Sequence, residues 1–287
     1  MMNSNTHYKM RHILYAQPIF APDEQRFARN INSINSIADY MDANETETKI
    51  TFAFGGFPMN DEYWDEIVNT INERFKKFDC YVYRYDNNYG KAFILNDICN
   101  SKLKHLDFDS ILSVDSDIVF MNQEQFFFQR LYVAAQEVSD RKKQNWGIIA
   151  LNQREANCHL RSCYENKIEY ELEISGTPIH ERIFYPNAPS GIAGGCLFLN
   201  REMWDKVGGY RVMGVYAGDD AYVLIDSNKA GYSYQMMETL SVIHPHEDDS
   251  AYAQWKYKVC QRDTAGGLRK DITGQINEAN SFWNSRK

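Results

Sequence analysis

Over the first 120 positions, apolar residues recur in two alternating patterns. His12-Ile13-Leu14-Tyr15-Ala16, Cys80 to Tyr85 and Ser110 to Val114 read as short strands, and Lys49 to Phe54 reads as a strand by alternation, breaking at Gly55-Gly56. Between them, Pro22 to Met41 carries Phe27, Ile31, Ile34 and Ile37-Ala38 at helical spacing. Glu62 to Phe75 puts Trp64, Ile67, Val68 and Ile71 on one stripe, and Gly90 to Leu103 reads as a third helix. Strands interleaved with helices of this length imply βαβ units and a largely parallel sheet, an α/β fold. Ligands of such sheets bind outside the C-terminal strand ends.

The pattern is less regular further on. Trp146 to Leu151 and Gly191 to Asn200 have strand character, as does Leu240-Ser241-Val242-Ile243. Residues 152–189 mix Glu, His, Tyr and Arg without clear period, and are expected to form loops and short helices. Arg201 to Val207 reads as a short helix ended by Gly208-Gly209-Tyr210, and Asp219 to Ala230 as a helix stopped by Gly231. There is no internal repeat or low-complexity linker, so residues 1–287 parse as one domain.

The chemistry concentrates at Asp115-Ser116-Asp117, where the fourth apolar run ends. Carboxylates two residues apart on a strand point the same way off the pleat. Their hard oxygens suit Mg²⁺ or Mn²⁺, which accept phosphate oxygens as further ligands. A polar turn after a buried strand is the competing reading, and a second acidic cluster, Gly218-Asp219-Asp220, weighs against it.

Taken in order, these segments resemble the GT-A-type glycosyltransferases, closest to the family 2 pattern, over residues 12 to 250. The resemblance rests on Tyr85-Asp86-Asn87-Asn88-Tyr89-Gly90-Lys91, Asn96, Asp115-Ser116-Asp117, Gly194 to Leu199, Val207 to Tyr210, Gly218-Asp219-Asp220 and His244. It implies a Rossmann-like, mostly parallel central sheet flanked by helices, with an acceptor-side C-terminal part. Residues 12–120 would be the nucleotide-binding half, 121–250 the acceptor and catalytic half, and 251–287 an extension. The implied activity is metal-dependent transfer from a UDP-linked sugar to a hydroxyl with inversion, although the same sheet and Asp-x-Asp serve retaining enzymes.

By the same resemblance, Asp115-Ser116-Asp117 meets the ribose and the metal–diphosphate, with Asp115 at the ribose and Asp117 on Mn²⁺ or Mg²⁺. Asp86 reads the base, and Gly90 and Lys91 border the nucleotide. Asp220 is the general base, because a sugar hydroxyl must lose its proton as it attacks. Asp219 stands where the family often has Glu, beside the acceptor; capping of the helix is its alternative role. Gly194 and Gly195 allow close backbone approach to sugar or acceptor, or make a tight turn. His244 is the metal's other protein ligand, with His246 as alternative and a surface His-Pro-His loop as the plain reading.

Composition limits these readings. The net charge of −8 weighs against a dedicated nucleic-acid coat protein, and 44% hydrophobic residues allow a large core. Six cysteines without a CxxC pair, a polar N-terminus and no apolar stretch of membrane-spanning length fit a soluble cytoplasmic protein. Lys256, Lys258, Arg262, Arg269, Lys270, Arg286 and Lys287 make the end of the chain mildly basic. That keeps a modified base of bacteriophage DNA open as an anionic acceptor beside a neutral hydroxyl. A nucleotidyltransferase of the same fold would carry a Gly-rich basic loop after the first strand, where this chain has Gln17 to Pro22. A non-catalytic nucleotide-sugar-binding module would not need the intact acids.

Overall fold

A computed structural model describes residues 11–154, 166–185, 194–215 and 219–245, with a few isolated positions beyond. The chain runs β1 (His12–Ile19), α1 (Glu24–Ala43), β2 (Lys49–Gly56), α2 (Asp61–Arg74), β3 (Asp79–Arg84), α3 (Gly90–Asp97) and β4 (Ser110–Val114). A π-helical turn, Ile98–Lys102, extends α3. Then come α4 (Phe127–Lys142), β5 (Trp146–Arg154), β6 (Asn166–Ile174), β7 (Thr177–Tyr185), β8 (Cys196–Asn200), α5 (Arg201–Val207), α6 (Asp219–Lys229) and β9 (Ser233–Ile243).

All nine strands form one sheet, in the order β3-β2-β1-β4-β8-β5-β9-β7-β6. The first four are parallel. β8 enters antiparallel between β4 and β5, and β9 runs parallel to β5. From β1 the chain steps outward to β2 and β3, then returns to the other side of β1 as β4. The crevice beyond the C-terminal ends of β1 and β4 is therefore the topological switch point.

Both faces of the central strands are covered, so β1 and β4 are buried throughout, and β2, expected to alternate, is buried from Ile50 to Gly56. Ile13 and Tyr15 pack with Ile34 and Ile37 of α1, Ile67 of α2 and Leu131 of α4. Leu14 and Ala16 pack on the opposite face with Leu95 of α3, Trp204 of α5 and Leu224 of α6. Cys80, Cys99 and Cys196 are free thiols, as their apolar surroundings suggest; Cys158, Cys163 and Cys260 lie outside the described residues. No helix among the described residues is long and apolar enough to cross a membrane.

Several elements differ from expectation. Within 152–189, loops and short helices were expected, but β6 and β7 form a hairpin. Its turn, Ser175-Gly176, has φ of 52° and 78°, as a two-residue hairpin turn requires. Helix α4 has no counterpart in the sequence reading: it starts after Phe126, at φ 56° with no side-chain cap, so the usual start signal is missing. β2 runs on through Gly55-Gly56, and β9 starts at Ser233, well before Leu240.

Inside the edge region, α4 is tied to the sheet by ions. Arg130 donates from Nε to Glu181 at 2.5 Å, from Nη1 to Glu124 at 2.9 Å and from Nη2 to the Thr239 carbonyl at 2.8 Å. The Thr239 hydroxyl also donates to Glu181, which is fully buried. Thr239 reaches this position because β9 bulges against β5 between Met237 and Ser241. Arg130→Met leaves buried Glu181 without its cation and Glu124 with only the longer contact to Arg154. It should lower unfolding free energy by about 3–5 kcal/mol in a urea titration; a loss below about 1 kcal/mol would show that the network contributes no net stability.

Candidate active site

Asp115 and Asp117 lie on a turn just past β4, not within its pleat. The Asp115 amide donates to the Gly195 carbonyl at 2.7 Å, and the Ile118 amide donates back to Asp115 at 3.3 Å. The shared-face geometry expected of a strand pair is therefore replaced, and each carboxylate meets its own set of partners.

Asp115 faces α3 and α6. Lys91 Nζ is 2.7 Å from Asp115 Oδ1 and 3.0 Å from Asp220 Oδ1, and it donates to the Gly194 carbonyl at 3.2 Å. Lys91 can reach them because Gly90 opens α3 at φ 80°, where a Cβ would lie 2.4 Å from the Val215 carbonyl oxygen. Tyr210 stands 5.8 Å from the ammonium and is fixed by Ser113 and by two backbone hydrogen bonds with Asn96. A Cβ on Gly194 would sit 1.8 Å from Asp220 Cγ, so this glycine makes room for that carboxylate.

Charge is crowded here. Burial opposes the Lys91 ammonium, but Asp115 and Asp220 override it and hold its pKa well above the ordinary value. Burial lifts the Asp115 carboxyl, Lys91 counters, and Asp220 adds repulsion, leaving it raised. Asp219 is pushed up to about 7, first by burial and then by Asp220. Both Asp219 and Asp220 occupy the first turn of α6, where the helix dipole favours acids.

Asp117 faces the other way. His244 Nε2 lies 3.4 Å from its Oδ1, and the Nη1 atoms of Arg26 and Arg29 lie 3.8 and 3.7 Å from its Oδ2. Burial opposes ionisation of Asp117, yet His244, Arg26 and Arg29 outweigh it and hold its carboxyl below the usual range. His244 follows β9 directly, and paired backbone hydrogen bonds between Val119 and Ile243, of 2.8 and 2.9 Å, tie that strand end to the Asp117 turn. His244 Nδ1 is 2.9 Å from Gln153 Oε1, an acceptor that fixes the ring with Nε2 toward Asp117; protonated, Nε2 donates to that carboxylate, and deprotonated it can ligate an ion. Gly195 admits Gln153, since a Cβ there would be 2.8 Å from Oε1.

Asp117 and His244 fit a divalent ion. Two ligands each about 2.1 Å from one ion stand about 3.0–3.4 Å apart, and these two are 3.4 Å apart. Among the described residues no set of three or more His, Cys, Asp or Glu could hold an ion. Asp117 and His244 would thus share the ion with oxygens from a ligand and from water.

The remaining expected residues are spread around this centre. Asp86 is exposed and accepts from the Tyr89 hydroxyl at 2.9 Å, and Ser116 is half-buried between the two aspartates. Asn280 donates to Asn87 at 2.7 Å, beside Asp86. Gly218, His246, Glu247, Asp248, Asp249 and the basic residues from Lys256 onward lie outside the described residues. Sequence reasoning missed Arg26, Arg29 and Gln153. The signal for Arg26 was its phase: Arg26, Asn30, Ser33 and Ile37 make one buried stripe, whereas Phe27 and Ile31, taken as its start, are only half-buried.

No protein-family model and no curated protein sequence matches the chain. Solved structures do. The mannosyltransferase PcManGT from Pyrobaculum calidifontis, in complex with GDP-Man and Mn²⁺, aligns over 97% of this chain and 74% of its own, with TM-score 0.57 and 12% identity. S. aureus TarS aligns over 96% of this chain, with TM-score 0.54 and 10% identity, and this chain spans 43% of its length. TarS residues 1–349 give TM-score 0.53 at 11% identity, over 96% of this chain and 72% of that one. At such identities the likeness is one of fold, and the fold is GT-A.

The raised Asp219 carboxyl makes stability depend on pH. Between about pH 4 and 7 the folded chain keeps a proton on Asp219 that the unfolded chain releases, given an ordinary value of 3.8. Stability from this group is therefore lost as pH rises through that window. Asp219→Asn removes the penalty and keeps the shape of the side chain. Thermal unfolding should show the variant more stable than wild type at pH 8 by about 1–2 kcal/mol, with the two converging near pH 4. Parallel curves would mean that Asp219 is not held protonated by the fold.

Proposed function

We propose that this protein is a metal-dependent glycosyltransferase, moving a sugar from a nucleoside-diphosphate sugar, UDP-linked, to an acceptor hydroxyl with inversion. One observation carries the reading: the switch-point crevice holds a metal-suited pair, Asp117 with His244, and a separate carboxylate, Asp220, oriented by Lys91 at a helix start. The GT-A fold supports it, and PcManGT, of the same fold, is in complex with a nucleotide sugar and Mn²⁺.

In this reading the acceptor hydroxyl gives its proton to Asp220 as its oxygen bonds to the anomeric carbon. The bond from that carbon to the diphosphate oxygen breaks, and the nucleoside diphosphate leaves. A single displacement inverts the centre. Lys91 fixes the Asp220 carboxylate, as expected of a base that must be oriented before reaction. Asp115 and Ser116 face the ribose, Asp86 the base, Gly90 borders the nucleotide, and Gly194, Gly195 and Asp219 face sugar and acceptor. When bound, Mn²⁺ or Mg²⁺ on Asp117 and His244 neutralises charge growing on the leaving diphosphate. A neutral hydroxyl is the acceptor assigned, since Asp115, Asp219 and Asp220 crowd that side of the crevice with acids that would repel a polyanion.

A panel of UDP- and GDP-linked sugars with Mn²⁺, read as nucleoside diphosphate released, tests this. Wild type should release diphosphate from at least one donor. Asp220→Asn should lose about 10²–10⁴ in kcat while donor Kd stays unchanged. Weakened donor binding with normal kcat would move Asp220 to the donor side, and no release from any donor would contradict sugar transfer.

A further inference from the structure

Helix α1 brings two guanidiniums to the crevice that the mechanism above leaves unused. Arg26 and Arg29 are three residues apart, hence on one face of the helix. They sit in the opening turns of the helix that follows β1, and Asp117 sits on the turn that follows β4. β1 and β4 are neighbours across the switch point. The sheet topology thus faces these arginines toward the carboxylate that is suited to a metal–diphosphate.

The contacts are close and enclosed. Arg26 is 3% exposed, and the Arg29 side chain is 15% exposed. At 3.8 and 3.7 Å, both reach Asp117 Oδ2 as ion pairs longer than hydrogen bonds. A phosphate oxygen can share or replace such loose contacts. Guanidinium presents a planar fork of donors that fits phosphate oxygens in pairs, and it sheds water more easily than an ammonium. The crevice is also polarised: Arg26, Arg29 and His244 gather at the α1 side, while Asp115, Asp219 and Asp220 gather around Lys91 at the α6 side.

We propose that Arg26 and Arg29 form a diphosphate-binding pair, so that the chain holds a nucleoside diphosphate through guanidinium contacts in addition to the divalent ion. This rests on reading the crevice as a nucleotide-sugar site. The polarity then sets donor orientation: diphosphate toward α1, anomeric carbon toward Asp220. A pair serving only to neutralise Asp117 would give no binding of phosphate in the absence of metal.

Isothermal titration of UDP and of GDP into the full chain, in EDTA and in Mn²⁺, separates these cases. Wild type should bind one nucleotide in EDTA, more weakly than in Mn²⁺. Arg29→Gln, at the less buried position, should weaken binding in EDTA at least about tenfold and flatten its salt dependence. Arg29→Lys should restore part of the loss, and thermal unfolding of both variants reports that they are folded. Equal binding by wild type and Arg29→Gln in EDTA overturns the pair. So does binding by wild type in Mn²⁺ with none in EDTA. Binding of neither nucleotide under either condition overturns the nucleotide-sugar reading itself, and the pair with it.

Discussion

Two carboxylates enclosed just past the end of one strand, one buried and one half-buried, cannot both stay ionised unless cations stand beside them. That constraint organises the whole crevice. Asp115 and Asp117 are two residues apart, yet they draw their partners from different elements. α3 supplies Lys91, α1 supplies Arg26 and Arg29, and the end of β9 supplies His244. Each carboxylate is thereby assigned a separate electrostatic task. Asp117 is held ionised below the usual range, while Asp115 shares one ammonium with Asp220 and is raised.

The sheet order makes this convergence achievable. Returning the chain from β3 to β4 across β1 opens the crevice, and inserting β8 antiparallel beside β4 brings Gly194 and Gly195 to its edge. These glycines supply space where Asp220 and Gln153 must enter. β9 then closes the far side, its last residues paired with Val119 just beyond the aspartates. Away from the crevice the same sheet is tied to α4 by the Arg130 network, which fixes the bulged part of β9, the strand that ends at His244.

Much of this was legible in the sequence. β1 and β4 announced themselves as apolar runs, because burial on both faces removes alternation, and the strand-end acids followed from where the β4 run stopped. The β6–β7 hairpin was written just as plainly: buried Ile168 and Tyr170 alternate with exposed Lys167, Glu169, Glu171 and Glu173. Its density of charge concealed the period. Arg26, Arg29 and Gln153 were harder to see. An arginine in phase with an apolar stripe looks like a solvated helix end until the topology shows what lies across from it. Gln153 acts through His244, ninety-one positions away. Helix α4 was hidden for a local reason, since it starts from a left-handed phenylalanine and not from a capping side chain.

The central claim is that Asp117 and His244 hold a divalent ion against a diphosphate at this switch point. Diffraction from crystals grown with Mn²⁺ and UDP, collected at the manganese absorption edge, addresses it directly. The account predicts one strong anomalous peak about 2.1 Å from Asp117 and from His244 Nε2, with the diphosphate oxygens completing its shell. A peak elsewhere in the molecule, or ordered nucleotide with no peak between these two residues, would contradict it.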